Sequence, residues 1–160
     1  MPATNSIALI TGASSCIREA LTHSFARAGH ELVLVARSAD KFKALAKQLE
    51  TEHDINVLVL PTDLAASGAA QQLATTLKRR KRVPDVLVNC AGVLEQKHFV
   101  TTKPAGHQAI IDLNISALTA MLSHLLPLMV ARGSGRALNV ASVATFQPIP
   151  LLATYAASKA

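Results

Sequence analysis
One hundred and sixty residues are enough for one domain with a proper core and too few for two. Half the residues are hydrophobic, yet aromatics make up only 3% and tryptophan is absent, so the core must come from Ala, Val, Leu and Ile, as in helices over a parallel sheet. Sixteen Lys and Arg against ten Asp and Glu give a net charge of +6, which favours an anionic ligand, and Cys16 and Cys90 are too few for a disulfide framework or a metal site of the usual spacing.

Apolar runs of strand length alternate with longer helical patterns. Ile7–Ile10 reads as a first strand ending in Thr11-Gly12, followed by a helix from about Ser15 to Ala28, with Ser14 or Ser15 as its N-cap and Gly29 as its stop. Glu31–Ala36 is a second strand. Ser38 then caps a helix from Asp40 to about Glu50, with Phe42, Leu45 and Leu49 on one stripe. Val57–Leu60 is a third strand closed by Pro61 and Asp63, and Gly68 to about Arg80 a third helix. The basic run Lys78–Arg82 falls at that helix's end, where cations complement the dipole; no aromatic residues interleave it, so no nucleic-acid partner is expected.

Val86–Val88 is a fourth strand leading into Asn89-Cys90-Ala91-Gly92, and Val93–Gly106 reads as a loop with a short turn. His107 to about Ala131 predicts a long helix, apolar almost all round, buried in the core or against another subunit and kinked or opened at Pro127. Ala137–Val140 is a fifth strand reaching Ser142. No stretch holds the roughly 18 uninterrupted apolar residues of a membrane span, and no signal peptide is apparent. The expectation is a soluble protein in the reducing cytoplasm, with no membrane partner.

Strict β-α alternation predicts an α/β fold, a doubly wound parallel sheet with helices on both faces. Ligands of such sheets bind beyond the carboxyl ends of the strands. Thr11, Gly12, Arg37, Asp63, Asn89, Gly92 and Ser142 all fall there. Tyr155 and Lys159 are four residues apart and share a face of a helix. A phenol ordinarily titrates near pH 10, and an ammonium beside it favours the phenolate. With a serine hydroxyl to hold the oxygen, these residues suit proton transfer to or from a carbonyl/alcohol pair.

The turn Thr11-Gly12-Ala-Ser-Ser-Cys16-Ile-Arg18, the segment Asn89-Cys90-Ala91-Gly92, Asn114, Ser142 and Tyr155-Ala-Ala-Ser-Lys159 occur in one order, with Ser142 and Tyr155 separated by 155 − 142 = 13 positions. In these respects the sequence resembles the short-chain dehydrogenase/reductases, from Ile7 to the last residue. The resemblance implies a Rossmann-like sheet, truncated to five strands in the order 3-2-1-4-5, with residues 1–160 as a single dinucleotide-binding domain lacking its C-terminal part. It makes Tyr155 the catalytic acid/base, with Lys159 favouring its phenolate and holding the nicotinamide ribose. Ser142 would orient the substrate oxygen and Asn114 support a proton-relay water. Thr11, Gly12, Ser14, Ser15, Ile17, Arg37, Ser38, Asp63, Leu64, Asn89, Ala91 and Gly92, with Tyr155 and Lys159, would bind the cofactor. Asn114 could equally cap or kink the long helix, and Asp63 cap the third. No metal is expected. The substrate would be a small carbonyl or alcohol, and a homodimer would form through the helix around His107–Ala131.

Arg37 and Ser38 stand at the end of the second strand, where an NAD site usually has an acidic residue for the ribose 2′-hydroxyl. A guanidinium and a hydroxyl suit a 2′-phosphate, so NADP(H) is expected in preference to NAD(H); the alternative is a surface ion pair of Arg37 with Asp40. Cys16 and Arg18 replace the second and third glycines of the family's turn. Their Cβ atoms should hold the pyrophosphate off, and a backbone needing φ > 0 there would cost a further 1–2 kcal/mol or so, although Arg18 could itself reach the phosphates. The short helix carrying Tyr155 should fray and the fifth strand be an exposed edge. An NADP-dependent oxidoreductase and a catalytically impaired, nucleotide-binding or interaction protein both remain open.

Overall fold
A computed structural model of the chain describes residues 6–12, 16–38 and 40–160. In chain order the elements are β1 (Ile7–Thr11), α1 (Cys16–Arg27), β2 (Glu31–Ala36), α2 (Asp40–His53), β3 (Val57–Pro61), α3 (Ala69–Arg79), β4 (Val86–Asn89), α4 (Pro104–Ile111), α5 (Ala117–Ala131), β5 (Arg136–Asn139) and α6 (Ala153–Lys159). All five strands pair in parallel, in the predicted order β3-β2-β1-β4-β5.

Strand alternation divides the core into two layers. Leu9, Val33, Val35 and Leu87 face α3 and α5, meeting Leu73, Leu77, Met121 and Leu125. Ala8, Ile10, Leu32, Leu34 and Val88 face the opposite way and pack with Ala26, Phe42 and Leu49 from α1 and α2. A central strand covered on both faces must be apolar at every position, which is why β1 and β2 read as continuous hydrophobic runs. At the foot of the sheet, Asp85 accepts the Ile7 N–H at 2.8 Å and pairs with Arg132 at 3.1 Å. The Arg132 guanidinium also donates to the carbonyls of Val83 and Pro84, tying the end of α5 to the entry of β4.

The basic run is a helix end, as expected. Lys78 and Arg79 occupy the last turn of α3, and Arg82 turns back to pair with Glu31 at the start of β2.

Two expectations are corrected. The segment read as a loop to Gly106 becomes helical at Pro104, because proline fits the first turn of a helix, where no backbone donor is needed. The long helix is irregular at a π turn, Asp112–Ser116, while α5 runs through Pro127 to Ala131. Within one chain that helix is buried along one stripe, which leaves its expected burial against another subunit open. Ile110, Asn114, Ala117, Met121, Leu125 and Met129 form one buried stripe, whereas Ile115 and Val130 are exposed, since one chain covers only the stripe that meets the sheet and α3. By length and composition the Pro104–Ala131 helix could cross a membrane, but this stripe belongs to the domain core.

The seven residues of α6 would be marginal alone, and three side-chain bonds tie them to other elements. Asn114 Nδ2 donates to Ser158 Oγ at 2.8 Å, Lys159 Nζ donates to the Val140 carbonyl at 3.1 Å, and Thr154 Oγ1 lies 2.7 Å from His107 Nδ1. Strand β5 is exposed at all four positions and forms the sheet edge, as expected.

Candidate active site
The strand order reverses between β1 and β4, and the polar ends of β1, β2, β4 and β5 converge there. At the end of β1 the chain turns at Gly12, whose φ of 73° lies in the left-handed region that only glycine adopts without cost. The Gly12 N–H donates to the Val35 carbonyl at 2.7 Å, which binds the turn to β2. The Thr11 hydroxyl is buried and accepts the N–H groups of Cys90 and Ala91, each at 3.0 Å. A single side chain therefore sets the path of the segment after β4.

That segment is clamped from its other side. Asn114, at the π turn and 2% exposed, accepts the Val93 N–H at 2.9 Å through Oδ1 and donates to the Val93 carbonyl at 3.0 Å through Nδ2, which also reaches Ser158. Ser158 in turn donates to the Tyr155 carbonyl at 2.8 Å. Asn114 thus joins the β4 segment to the helix bearing Tyr155 and Lys159.

Gly92 lies inside this clamp. A Cβ there would sit 3.2 Å from Lys159 Nζ and 3.3 Å from Asn114 Oδ1, so the glycine is needed for close approach, with no demand on φ. The Lys159 ammonium is in this way set against the floor of the cleft.

A cleft of about 350 Å³ opens over the switch point. Gly12, Arg37, Ser38, Asp63, Leu64, Ala91 and Gly92 line it, and these are seven of the residues expected to bind a dinucleotide. Arg37 and Ser38 are exposed at its rim. Asp63 lines it while its Oδ1 accepts the Ala65 N–H at 3.2 Å, fixing the turn before α3; the residue preceding α3 is Gly68, so Asp63 is not that helix's cap.

Other expected residues stand elsewhere. Thr11 and Asn89 lie beneath the cleft, where Asn89 Nδ2 donates to Asn139 Oδ1 at 2.9 Å across β4 and β5. Ile17 is 64% exposed on α1. Ser14 and Ser15 lie outside the described residues, as do the side chains of Cys16, Arg18 and Asp40. The backbones of Cys16 and Arg18 are nevertheless helical, within α1. The anticipated left-handed strain does not arise there, since helical φ is negative.

Ser142 ends the path beyond β5, accepting the Ala144 N–H at 3.2 Å. The turn that it caps packs against α6, and Tyr155 is the third residue of that helix, half-buried. Sequence reasoning missed Ser158 and the His107–Thr154 contact. Only the residue types hinted at them, because both bonds cross between elements far apart in the chain.

These features define a doubly wound parallel α/β sheet with a cleft at its switch point. The sequence matches the profile of the short chain dehydrogenase family over residues 6–160, and the chain belongs to that family. It is 32% identical over 152 residues to the NADPH-dependent pterin aldehyde reductase of Arabidopsis thaliana, covering 94% of this chain and 62% of that protein. Among solved structures, a short-chain dehydrogenase from Sphingobium yanoikuyae in complex with NADPH superposes with a TM-score of 0.89 at 36% identity, covering 96% of this chain and 60% of that one. L-sorbose reductase from Gluconobacter frateurii, complexed with NADPH and L-sorbose, gives 0.92 at 29% identity, with 99% and 60% covered. The chain spans about three fifths of the length of these proteins.

Proposed function
We propose that residues 1–160 act as one dinucleotide-binding unit of an NADP(H)-dependent oxidoreductase that interconverts a carbonyl and its alcohol. The observation that carries this reading is the cleft itself, which gathers Gly12, Arg37, Ser38, Asp63 and Gly92 from four separate segments. The site residues fit a nicotinamide dinucleotide. Gly12 lines the cleft at the end of β1, Arg37 and Ser38 offer donors to a 2′-phosphate, and Gly92 leaves room beside Lys159. The NADPH named for the Arabidopsis relative and for two of the superposed structures supports the same cofactor.

When bound, the nicotinamide supplies or takes the hydride at the substrate carbon. The chain's own residues handle the proton and the positioning. Tyr155 donates its hydroxyl proton to the carbonyl oxygen during reduction and takes one back during oxidation. Ser142 bonds that oxygen, Lys159 holds the ribose, and Asn114 keeps the Gly92 segment and α6 in register. The substrate class is a small carbonyl or alcohol. Pairing of two chains through the helix around His107–Ala131, where Ile115 and Val130 are exposed, is a further part of this reading, and sedimentation of the wild-type chain tests it.

The deciding experiment titrates the purified chain with NADPH and with NADH while following the melting temperature, in the wild type and in Arg37→Asp. NADPH should raise the wild-type melting temperature more than NADH does, and Arg37→Asp should lose NADPH affinity preferentially. Equal losses for the two nucleotides would refute the role of Arg37. NADPH binding without turnover would favour the binding-only reading, for which the replaced glycines at Cys16 and Arg18 speak.

A further inference from the structure
On the face of the sheet that carries α1 and α2, away from the cleft, three ligating side chains meet. His23 comes from α1, and Glu52 and His53 from the last turn of α2. One ligand atom from each lies within 4.8 Å of the other two. We propose that His23, Glu52 and His53 form a binding site for a divalent transition metal, with zinc as the fitting ion, that staples α1 to α2.

The donor set is two imidazoles and a carboxylate, a combination found in three-ligand zinc sites that leave a fourth position to water. Imidazole nitrogen disfavours magnesium and calcium, which take oxygen ligands. The carboxylate is already oriented. Its Oε1 accepts a hydrogen bond from Gln48 Nε2 at 2.8 Å, while Oε2 faces His53 Nε2 at 3.9 Å. An outer partner of this kind fixes a metal-binding carboxylate and strengthens the site. His23 and His53 are half-buried and Glu52 is exposed, so the cluster is reached from solvent.

In a tetrahedral zinc site with Zn–N of about 2.0–2.1 Å, ligand atoms lie about 3.4 Å apart, so from a spread of up to 4.8 Å the cluster needs to close by at most about 1.4 Å. Rotation of surface side chains accomplishes that without moving either helix. The ligands project from packed helices rather than loops: Thr22 and Ala26 flank His23 in the core, and Leu49 anchors the end of α2. Strand β2 separates the two contributing segments, so no short ligand spacing appears in the sequence. The first turn of α2 is at the cleft and His53 is its last residue, about 20 Å away at 1.5 Å per residue. The site is therefore structural, and its occupancy is read through binding and stability rather than turnover.

The test uses a tag-free chain stripped with a chelator and titrated calorimetrically with zinc sulfate, followed by a melt with and without the metal. One zinc should bind per chain and raise the melting temperature. His23→Ala and Glu52→Gln should each weaken binding by about tenfold or more, since even loss of an outer-shell partner costs 10–100-fold. Glu52 is exposed, so Glu52→Gln leaves the fold intact should His23→Ala fail to fold. Cobalt should bind in place of zinc without thiolate charge-transfer absorption. No saturable binding, equal binding by both variants, or a thiolate band that reveals Cys16 or Cys90 as ligand would each overturn the assignment.

Discussion
Replacing Asn114 by alanine tests whether one buried amide holds the site together. The side chain makes three hydrogen bonds: it accepts from Val93 N and donates to Val93 O and Ser158 Oγ. At roughly 1 kcal/mol for each lost bond, the ceiling from hydrogen bonding is about 3 kcal/mol. Val93 is exposed, so water can replace its two bonds in part, whereas Ser158 is buried. A loss of about 2–3 kcal/mol follows. For a chain of this size, 1 kcal/mol shifts the melting temperature by about 2–4 °C, so the variant should melt about 4–12 °C lower by circular dichroism. Asn114→Asp separates packing from bonding, because it keeps the acceptor and size but loses both donors and places a charge at a position 2% exposed. It should be at least as damaging as alanine. An alanine variant that melts with the wild type would show that the clamp does not join the β4 segment to α6, and the account of how α6 stays ordered would fall with it.

Two other substitutions probe the same neighbourhood. Gly92→Ala puts a methyl 3.2 Å from Lys159 Nζ and 3.3 Å from Asn114 Oδ1. Lys159 is bonded to Val140 and Asn114 is held by Val93 and Ser158, so stability should fall by about 1–2 kcal/mol and NADPH affinity should drop in a melting-shift titration; unchanged affinity would remove Lys159 from the cleft floor. Tyr155→Phe deletes one hydroxyl from a half-buried ring, so NADPH consumption with benzaldehyde as probe should fall by about 10²–10⁴-fold while nucleotide affinity holds. Undiminished turnover would end the assignment of Tyr155 as the proton carrier.

The legible and illegible parts of the chain differ in the range of the forces involved. Strands β1 and β2 and helix α1 were readable to within about a residue, because burial on both faces imposes an uninterrupted apolar run and Gly29 supplies a local stop. The residues at the strand ends were readable for the same reason, since their positions follow from strand order. Arg37 and Asp63 thus fall on the cleft as the topology requires. Illegible were the features set by contacts between distant segments. Nothing local marks the π turn at Asp112–Ser116, which brings Asn114 to Val93 and Ser158. Propensity alone predicts fraying of α6, and the bonds that oppose it, His107 to Thr154, Asn114 to Ser158 and Lys159 to Val140, join segments far apart in the chain. Thr11 and Asn89 fall in the expected region, but strand-end position cannot show the bonds that each makes beneath the cleft, Thr11 to the Cys90 N–H and Asn89 to Asn139.

The replaced glycines of the first turn follow from the same distinction. Their helical backbone means that Cys16 and Arg18 cost the fold nothing in left-handed strain, so their effect falls on ligand approach alone. Restoring both glycines then changes two quantities in opposite directions. Removing the Cβ atoms lets an anion come closer to the α1 N-terminus, where the helix dipole attracts it, so NADPH should bind more tightly. Glycine in a helix costs at most about 1 kcal/mol per position, giving a ceiling near 2 kcal/mol and a fall in melting temperature of at most about 8 °C. Deleting a cation from the first turn returns a few tenths of that, since positive charge there opposes the dipole. Cys16→Gly/Arg18→Gly should therefore melt lower without nucleotide and gain more from NADPH than the wild type gains. Weaker binding by the double variant would mean instead that Arg18 holds the pyrophosphate itself, with its charge standing in for the backbone approach that the glycines would have allowed.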